Sequence, residues 1–193
     1  MRRPSIAQGL ALGVALVLLA AWGIAWLRFP SDRTVEGAYY RVVKAVVHDE
    51  PQAFFAYIET EAQHACFTIG EYRAKSKQRV LKSFPPAARP AALHNLEPLA
   101  SHPDGPEVFA SLARSQGWLD NLRRDLSGID HVEQNDERAS AQTIRGTRYP
   151  FRRRENGIWG LTLFTAFLME EAERAARDDK QLEQAAADYD RKR

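Results

Sequence analysis

The densest chemistry in this sequence is a run of arginines. Arg145, Arg148, Arg152, Arg153 and Arg154 fall within ten residues that contain no acid. A guanidinium presents a planar fork of donors that can bind a carboxylate or phosphate through two bonds at once, so the cluster suits an anionic partner. Read as a strand, the stretch puts Arg148, Arg152 and Arg154 on one face and Thr147, Tyr149 and Phe151 on the other. Arg145, Arg148, Arg152 and Arg154 are therefore the candidate contact residues, for another envelope protein, anionic lipid or cell-wall groups. The competing reading is a solvated sheet face, neutralised by Glu170, Glu171 and Glu173 in the segment that follows.

Other chemistry is sparse. Glu61-x-x-His64 has the spacing of half a di-iron carboxylate site, but the second half is absent. A single cysteine, Cys66, excludes a thiolate cluster and an internal disulfide. No Gly-x-Ser-x-Gly elbow or phosphate-binding glycine loop occurs. His48-Asp49 and His131-x-Glu133 have acid–base types, yet Asp49 is better used as a helix cap. The sequence assigns no catalytic residue, no metal and no cofactor, and the chain is read as not an enzyme.

The elements that position these residues follow from hydrophobic period. Val35, Ala38, Tyr39, Val42, Val43 and Val46 recur at helical spacing, so a helix runs from Val35 to about His48. Asp49, Pro51 and Gln52 predict a cap and first turn for a second helix. A third runs from about Thr60 to Lys82. Shorter helices follow over Arg89–Leu96, Pro106–Gln116 and Trp118–Leu126, with Gly128 expected as the left-handed residue that ends the last. From Ile129 the period becomes that of strands: Ile129–Glu133, Arg138–Arg145, Thr147–Arg154 and Ile158–Phe164, with Asn156-Gly157 as a hairpin turn. Residues 165–193 form one amphipathic helix with a thin, alanine-rich stripe. Asp179 interrupts that stripe at a position that would otherwise be apolar. The helix either lies back on the domain or pairs with another helix.

Taken together, Val35-Glu36-x-Ala38-Tyr39, the break at Asp49, Phe54-Phe55-x-x-Ile58 and the strands from Val132-Glu133 through Arg138-Ala139-Ser140-Ala141, Gly146-Thr147-Arg148-Tyr149-Pro150-Phe151 and Asn156-Gly157-Ile158-Trp159 resemble the nuclear-transport-factor-like superfamily. The resemblance covers about a third of the chain and includes no signature residue. It implies a curved four-stranded antiparallel sheet wrapped around helices as a cone, with a pocket that Tyr149, Phe151 and Trp159 would line. Two departures stand out: the helices from Thr60 to Leu126 are inserted before the sheet, and a long helix follows it. Members of the superfamily include enzymes, ligand binders and adaptors, so the resemblance implies a fold rather than an activity.

Charge is divided along the chain. The 193 residues carry 27 Lys+Arg and 25 Asp+Glu. The first 30 hold Arg2, Arg3 and Arg28 and no acid, and Gly9–Leu27 is free of charge. At about 1.5 Å per residue that run spans roughly 28 Å, close to the hydrocarbon core of a bilayer. Trp22 and Trp26 sit at its far end, where indoles favour the headgroup region. The expected organisation is thus a transmembrane signal anchor over residues 1–30, a helix-rich α+β cone over 31–164, and the C-terminal helix over 165–193. A cleaved signal peptide is the alternative for the first segment.

The expected protein is single-pass in the inner membrane, with its N-terminus cytoplasmic and its domain periplasmic, contacting the lipid bilayer through residues 9–27. It works as a non-catalytic binding or adaptor module of the bacterial cell envelope; a subunit of a secretion- or division-type complex and a small-pocket isomerase or hydrolase are the alternatives. Net charge near zero excludes nucleic-acid binding driven by overall basicity. A homodimer is allowed but not favoured.

Overall fold

The computed structural model describes residues 30–102 and 104–191. The elements fall within the unit Asp32–Arg193. Helices α1 (Val35–Val47), α2 (Pro51–Phe55), α3 (Thr60–Ser83), α4 (Arg89–His94), α5 (Gly105–Ser115) and α6 (Trp118–Asp125) precede the strands, with a single 3-10 turn at Leu99–Ser101. Strands β1 (Ile129–Asn135), β2 (Arg138–Thr143), β3 (Arg148–Arg153) and β4 (Trp159–Leu161) then form an antiparallel sheet in chain order, and α7 (Thr165–Arg191) closes the fold.

The transmembrane helix expected over residues 9–27 lies outside the described residues, as do Trp22 and Trp26. Among the described residues no helix is long and apolar enough to cross a membrane. The two longest, α3 and α7, carry charged side chains through their length. The fold class is therefore corrected to α+β, seven α-helices with a four-stranded antiparallel sheet, with no membrane-spanning, single-pass or signal-anchor element among the described residues.

Local chemistry explains the boundaries. The Thr34 hydroxyl accepts from the Gly37 N–H at 3.1 Å and caps α1. Asp49 is not the cap of α2: it sits at φ +57°, in the left-handed region that a short polar side chain tolerates, and ends α1 instead. Glu50 takes the cap position of α2 without a side-chain bond, and Pro51 opens the helix. Gly128 is not left-handed: α6 stops at Leu126, φ −59° and ψ +131°, and Gly117, at φ +65°, lies before that helix, between α5 and α6. Gly157 takes φ +82° in the β3–β4 turn, as the Asn156-Gly157 pair requires.

After α2 the chain runs beside β4. Ile58 bridges Leu161 in parallel, the Leu161 N–H donates to Tyr57 O at 2.7 Å, and the Glu59 N–H donates to Leu161 O at 3.2 Å. This covers one edge of the sheet. It also fixes Gly160, where a β-carbon would fall 2.6 Å from Glu59 Cα.

Helices α3 and α7 leave this point side by side. Their contacts advance together, from Arg73–Asp178 through Arg79–Glu183 to Ser83–Asp190 and Phe84–Tyr189, so the two run parallel. They join two separate apolar clusters. The larger packs α1, α2, α5, α6 and the start of α3 against the inner sheet face, through Tyr39, Val42, Phe54, Ile69, Phe109 and Leu168 among others. The smaller, at the far end, contains Val80, Phe84, Leu96, Ala100 and Ala186. Between them lies a polar layer. Asp179 is buried and accepts from the buried Ser76 hydroxyl at 3.0 Å, while Arg79 Nε lies 3.2 Å from it. Arg73 donates to Asp178 at 2.6 Å.

Candidate functional site

The β-meander divides the arginine cluster by alternation. On β3, Tyr149 and Phe151 point inward and are buried, while Arg148, Pro150 and Arg152 point outward. Antiparallel register sets Arg138 opposite Arg152, Ser140 opposite Pro150 and Gln142 opposite Arg148. β1 continues the same face, with Glu133 opposite Ser140 and His131 opposite Gln142. The outer face is thus a charged surface over a floor of small side chains.

The four candidate arginines do different things. Arg148 is open, with 62 % of its side chain exposed; it donates to Gln142 Oε1 at 3.1 Å and lies 3.7 Å from Glu133. Arg152 donates to Glu61 Oε1 at 3.1 Å and stands 3.6 Å from Glu59 Oε2. Arg154 lies beyond the end of β3 and acts as a strut, donating to Ala56 O and to Gln63 Oε1, each at 2.8 Å. Its Nε is buried without a partner, and burial lowers its pKa. Arg145 donates to Arg124 O, a carbonyl in the last turn of α6, and so helps to cap that helix. The structure therefore brings Arg148 and Arg152 onto one face and assigns Arg145 and Arg154 to supporting contacts.

The neutralising acids are not those of α7. Glu170 and Glu171 pair with Arg174 at 3.5 and 2.7 Å, and Glu173 pairs with Arg177 at 3.4 Å, all within the helix. The carboxylates that meet the sheet are Glu59 and Glu61 for Arg152 and Glu133 for Arg148.

Tyr149, Phe151 and Trp159 belong to the core, each at 2 % exposure. Tyr39 stacks against Tyr149 at a tilt, 5.4 Å between ring centres, and the Trp159 indole N–H donates to Arg33 O at 3.1 Å. Burial pushes the Tyr149 phenol up to about 12. The inner face is filled by Tyr39, Val42 and their neighbours.

A hollow of about 310 Å³ does exist, on the outer side, bounded by Glu59, Glu61, Arg138, Pro150, Arg152 and Thr162; of the three expected pocket residues, Phe151 also lines it. Pro150 has no N–H to contribute, so the β3–β4 pairing ends beside it, with a last bond from Thr162 N–H to Pro150 O at 3.0 Å. The chain then turns away into α7 and leaves the space open. Neither Glu59 nor Arg138 is marked as a site residue by the sequence pattern, and Glu61 is marked only as half of the Glu-x-x-His pair. A signal was present for Arg138: once the polar turn after Asn135 and the β2–β3 connection are counted, it falls opposite Arg152.

The remaining reactive side chains are tied down. Cys66 is buried, and burial pushes its thiol up to about 12. His131 is exposed between Asp130 at 3.0 Å and Glu133 at 3.4 Å, and these carboxylates raise its pKa. The Glu61 carboxylate, one half of the Glu-x-x-His pair, is engaged by Arg152. Among the described residues no group of three or more His, Cys, Asp and Glu side chains is arranged to hold a metal ion.

Fold and site together define an α+β domain with a closed core and a charged outer sheet face. Comparison with known proteins finds no family model, no curated protein and no solved structure that matches the chain.

Proposed function

We propose that this chain is a non-catalytic binding or adaptor module of the bacterial cell envelope, and that its outer sheet face makes the contact. The observation that carries this reading is the division of the sheet. Its inner face is packed with core side chains, whereas its outer face presents Arg148 and Arg152 over small residues. A face of this kind recognises a partner through charge-assisted bonds, and the fork of Arg148 suits a carboxylate on an acidic protein surface.

The extracytoplasmic placement rests on the N-terminal sequence, where Arg2 and Arg3 precede the charge-free run Gly9–Leu27 and serve as an export address. The nuclear-transport-factor-like reading is supported by an opening helix pair followed, after an insertion, by an antiparallel meander. The α7 stripe is occupied by α3, which leaves the sheet as the contact surface.

The test is a binding assay between the full chain and its crosslinked envelope partner at rising salt. Binding should weaken with ionic strength and fall about tenfold or more on Arg148→Glu. Binding indifferent to both salt and Arg148→Glu would remove the proposal.

A further inference from the structure

The hollow beside Pro150 holds an unusual combination of charges. Glu59 has only 5 % of its side chain exposed, yet its carboxylate accepts no hydrogen bond from a described residue; its one ion pair is Arg152 at 3.6 Å. The Glu59 oxygens open onto the hollow rather than lying sealed in the core, so they have acceptor capacity that a ligand can use. Arg138 shows the converse. It borders the same hollow and makes no ion pair or side-chain hydrogen bond with a described residue. It faces Arg152 directly across β2–β3, at the roughly 5 Å spacing of cross-strand side chains, where like charges repel. Glu61 and Glu59 offset Arg152; nothing offsets Arg138 in this way.

We infer that this hollow is a binding site for a small zwitterion, specifically an α-amino acid. Its ammonium group meets the Glu59 carboxylate, and its carboxylate meets the Arg138 guanidinium. The two pairs of charges lining the hollow sum to zero, so neither a simple anion nor a simple cation completes both ends. A monoanion would relieve Arg138 and leave Glu59 without a donor; an amine would do the reverse. At about 310 Å³ the hollow is at the small end of ligand-binding clefts, which matches a ligand of amino-acid size. Pro150 provides an apolar wall and Thr162 a hydroxyl. The site adds a small ligand to the outer face and does not depend on the macromolecular contact through Arg148, which lies outside the hollow.

The test is titration of the full chain with each of the twenty L-amino acids to about 10 mM, read by amide chemical shifts and by thermal midpoint. At least one amino acid should bind saturably. The matching amine, lacking the carboxylate, and the matching carboxylic acid, lacking the ammonium, should each bind at least about tenfold more weakly. Arg138→Ala and Glu59→Gln should each weaken binding by a similar factor, with folding confirmed by circular dichroism. Arg138 is exposed, so its variant keeps the test valid if Glu59→Gln fails to fold. Arg148→Glu should leave amino-acid binding unchanged, which separates this site from the proposed contact. Absence of saturable binding, equal binding of the analogues, or wild-type affinity in a folded Arg138→Ala or Glu59→Gln chain would overturn the inference.

Discussion

Ser76 Oγ donates to Asp179 Oδ1 across 3.0 Å, and both side chains are buried. The pair sits in the polar layer that separates the two apolar clusters along α3 and α7. A buried carboxylate is tolerated there because Ser76, Arg79 and Lys75 surround it, the last two at 3.2 and 3.7 Å. Alanine-rich helices slide easily past one another; a carboxylate that must meet one hydroxyl and one guanidinium fixes their register. Asp179→Leu removes those acceptors while leaving Arg79 and Ser76 in place, and should cost about 3–5 kcal/mol in urea unfolding. Asp179→Asn keeps an acceptor for Ser76 and should cost less. Hydrogen exchange should show the amides of Leu182–Tyr189 losing protection in the leucine variant.

Gly160 is the tightest point of the sheet edge. A β-carbon there would lie 2.6 Å from Glu59 Cα and 2.9 Å from Ile58 C, both main-chain atoms that cannot swing aside. Gly160→Ala should destabilise the domain by about 3 kcal/mol or more, measured by chemical denaturation. Gly117→Ala meets no neighbouring atom within 4 Å and is strained only by its φ of +65°, at a cost of about 1 kcal/mol.

The arginines separate by role when substituted singly. Arg154→Gln loses the bonds to Ala56 O and Gln63, and should lower stability by about 1.5–3 kcal/mol. Arg148→Gln removes one exposed pair, and should change stability by less than about 1 kcal/mol. A combined Arg148, Arg152 and Arg154 substitution would mix these effects, so binding is to be tested at Arg148 alone.

Much of this arrangement is legible from residue types, and the exceptions have physical causes. Alternation along Arg148–Arg153 places each side chain on the correct face because one face is buried. Asn156-Gly157 marks the hairpin because few residues accept its backbone angles. Asp179 stands out as a polar break in an apolar stripe, but its partners Ser76 and Arg79 lie about a hundred residues away, and nothing local marks them. The same holds for the acids that meet Arg152: Glu59 and Glu61 reach it only because Ile58 runs beside Leu161. Asp49 misleads, because an aspartate two residues ahead of a proline suits both a cap and a left-handed helix end; here Glu50, next to Pro51, takes the cap position.

His131 provides a pH-dependent signal. Hydrogen bonds to Asp130 and Glu133 raise its pKa above the ordinary 6.5. A raised value means the folded chain favours the protonated ring. The associated stabilisation is complete below the unfolded pKa and is lost as pH rises through the folded one. NMR titration of the ring protons should place the midpoint above that of an unstructured histidine, and Asp130→Asn should bring it down. A midpoint unchanged by Asp130→Asn would show that the carboxylate is not the cause.

The central claim is that the outer sheet face makes the contact, and site-specific photocrosslinking tests it most directly. A photoreactive residue at position 140, on the outer face opposite Glu133 and Pro150, is compared in cells with one at position 180, on the exposed side of α7. The expected result is a discrete crosslinked species from position 140, absent from position 180 and lost when Arg148 in the same chain is replaced by Glu. No crosslink from position 140, or equal yields from both positions, would contradict it.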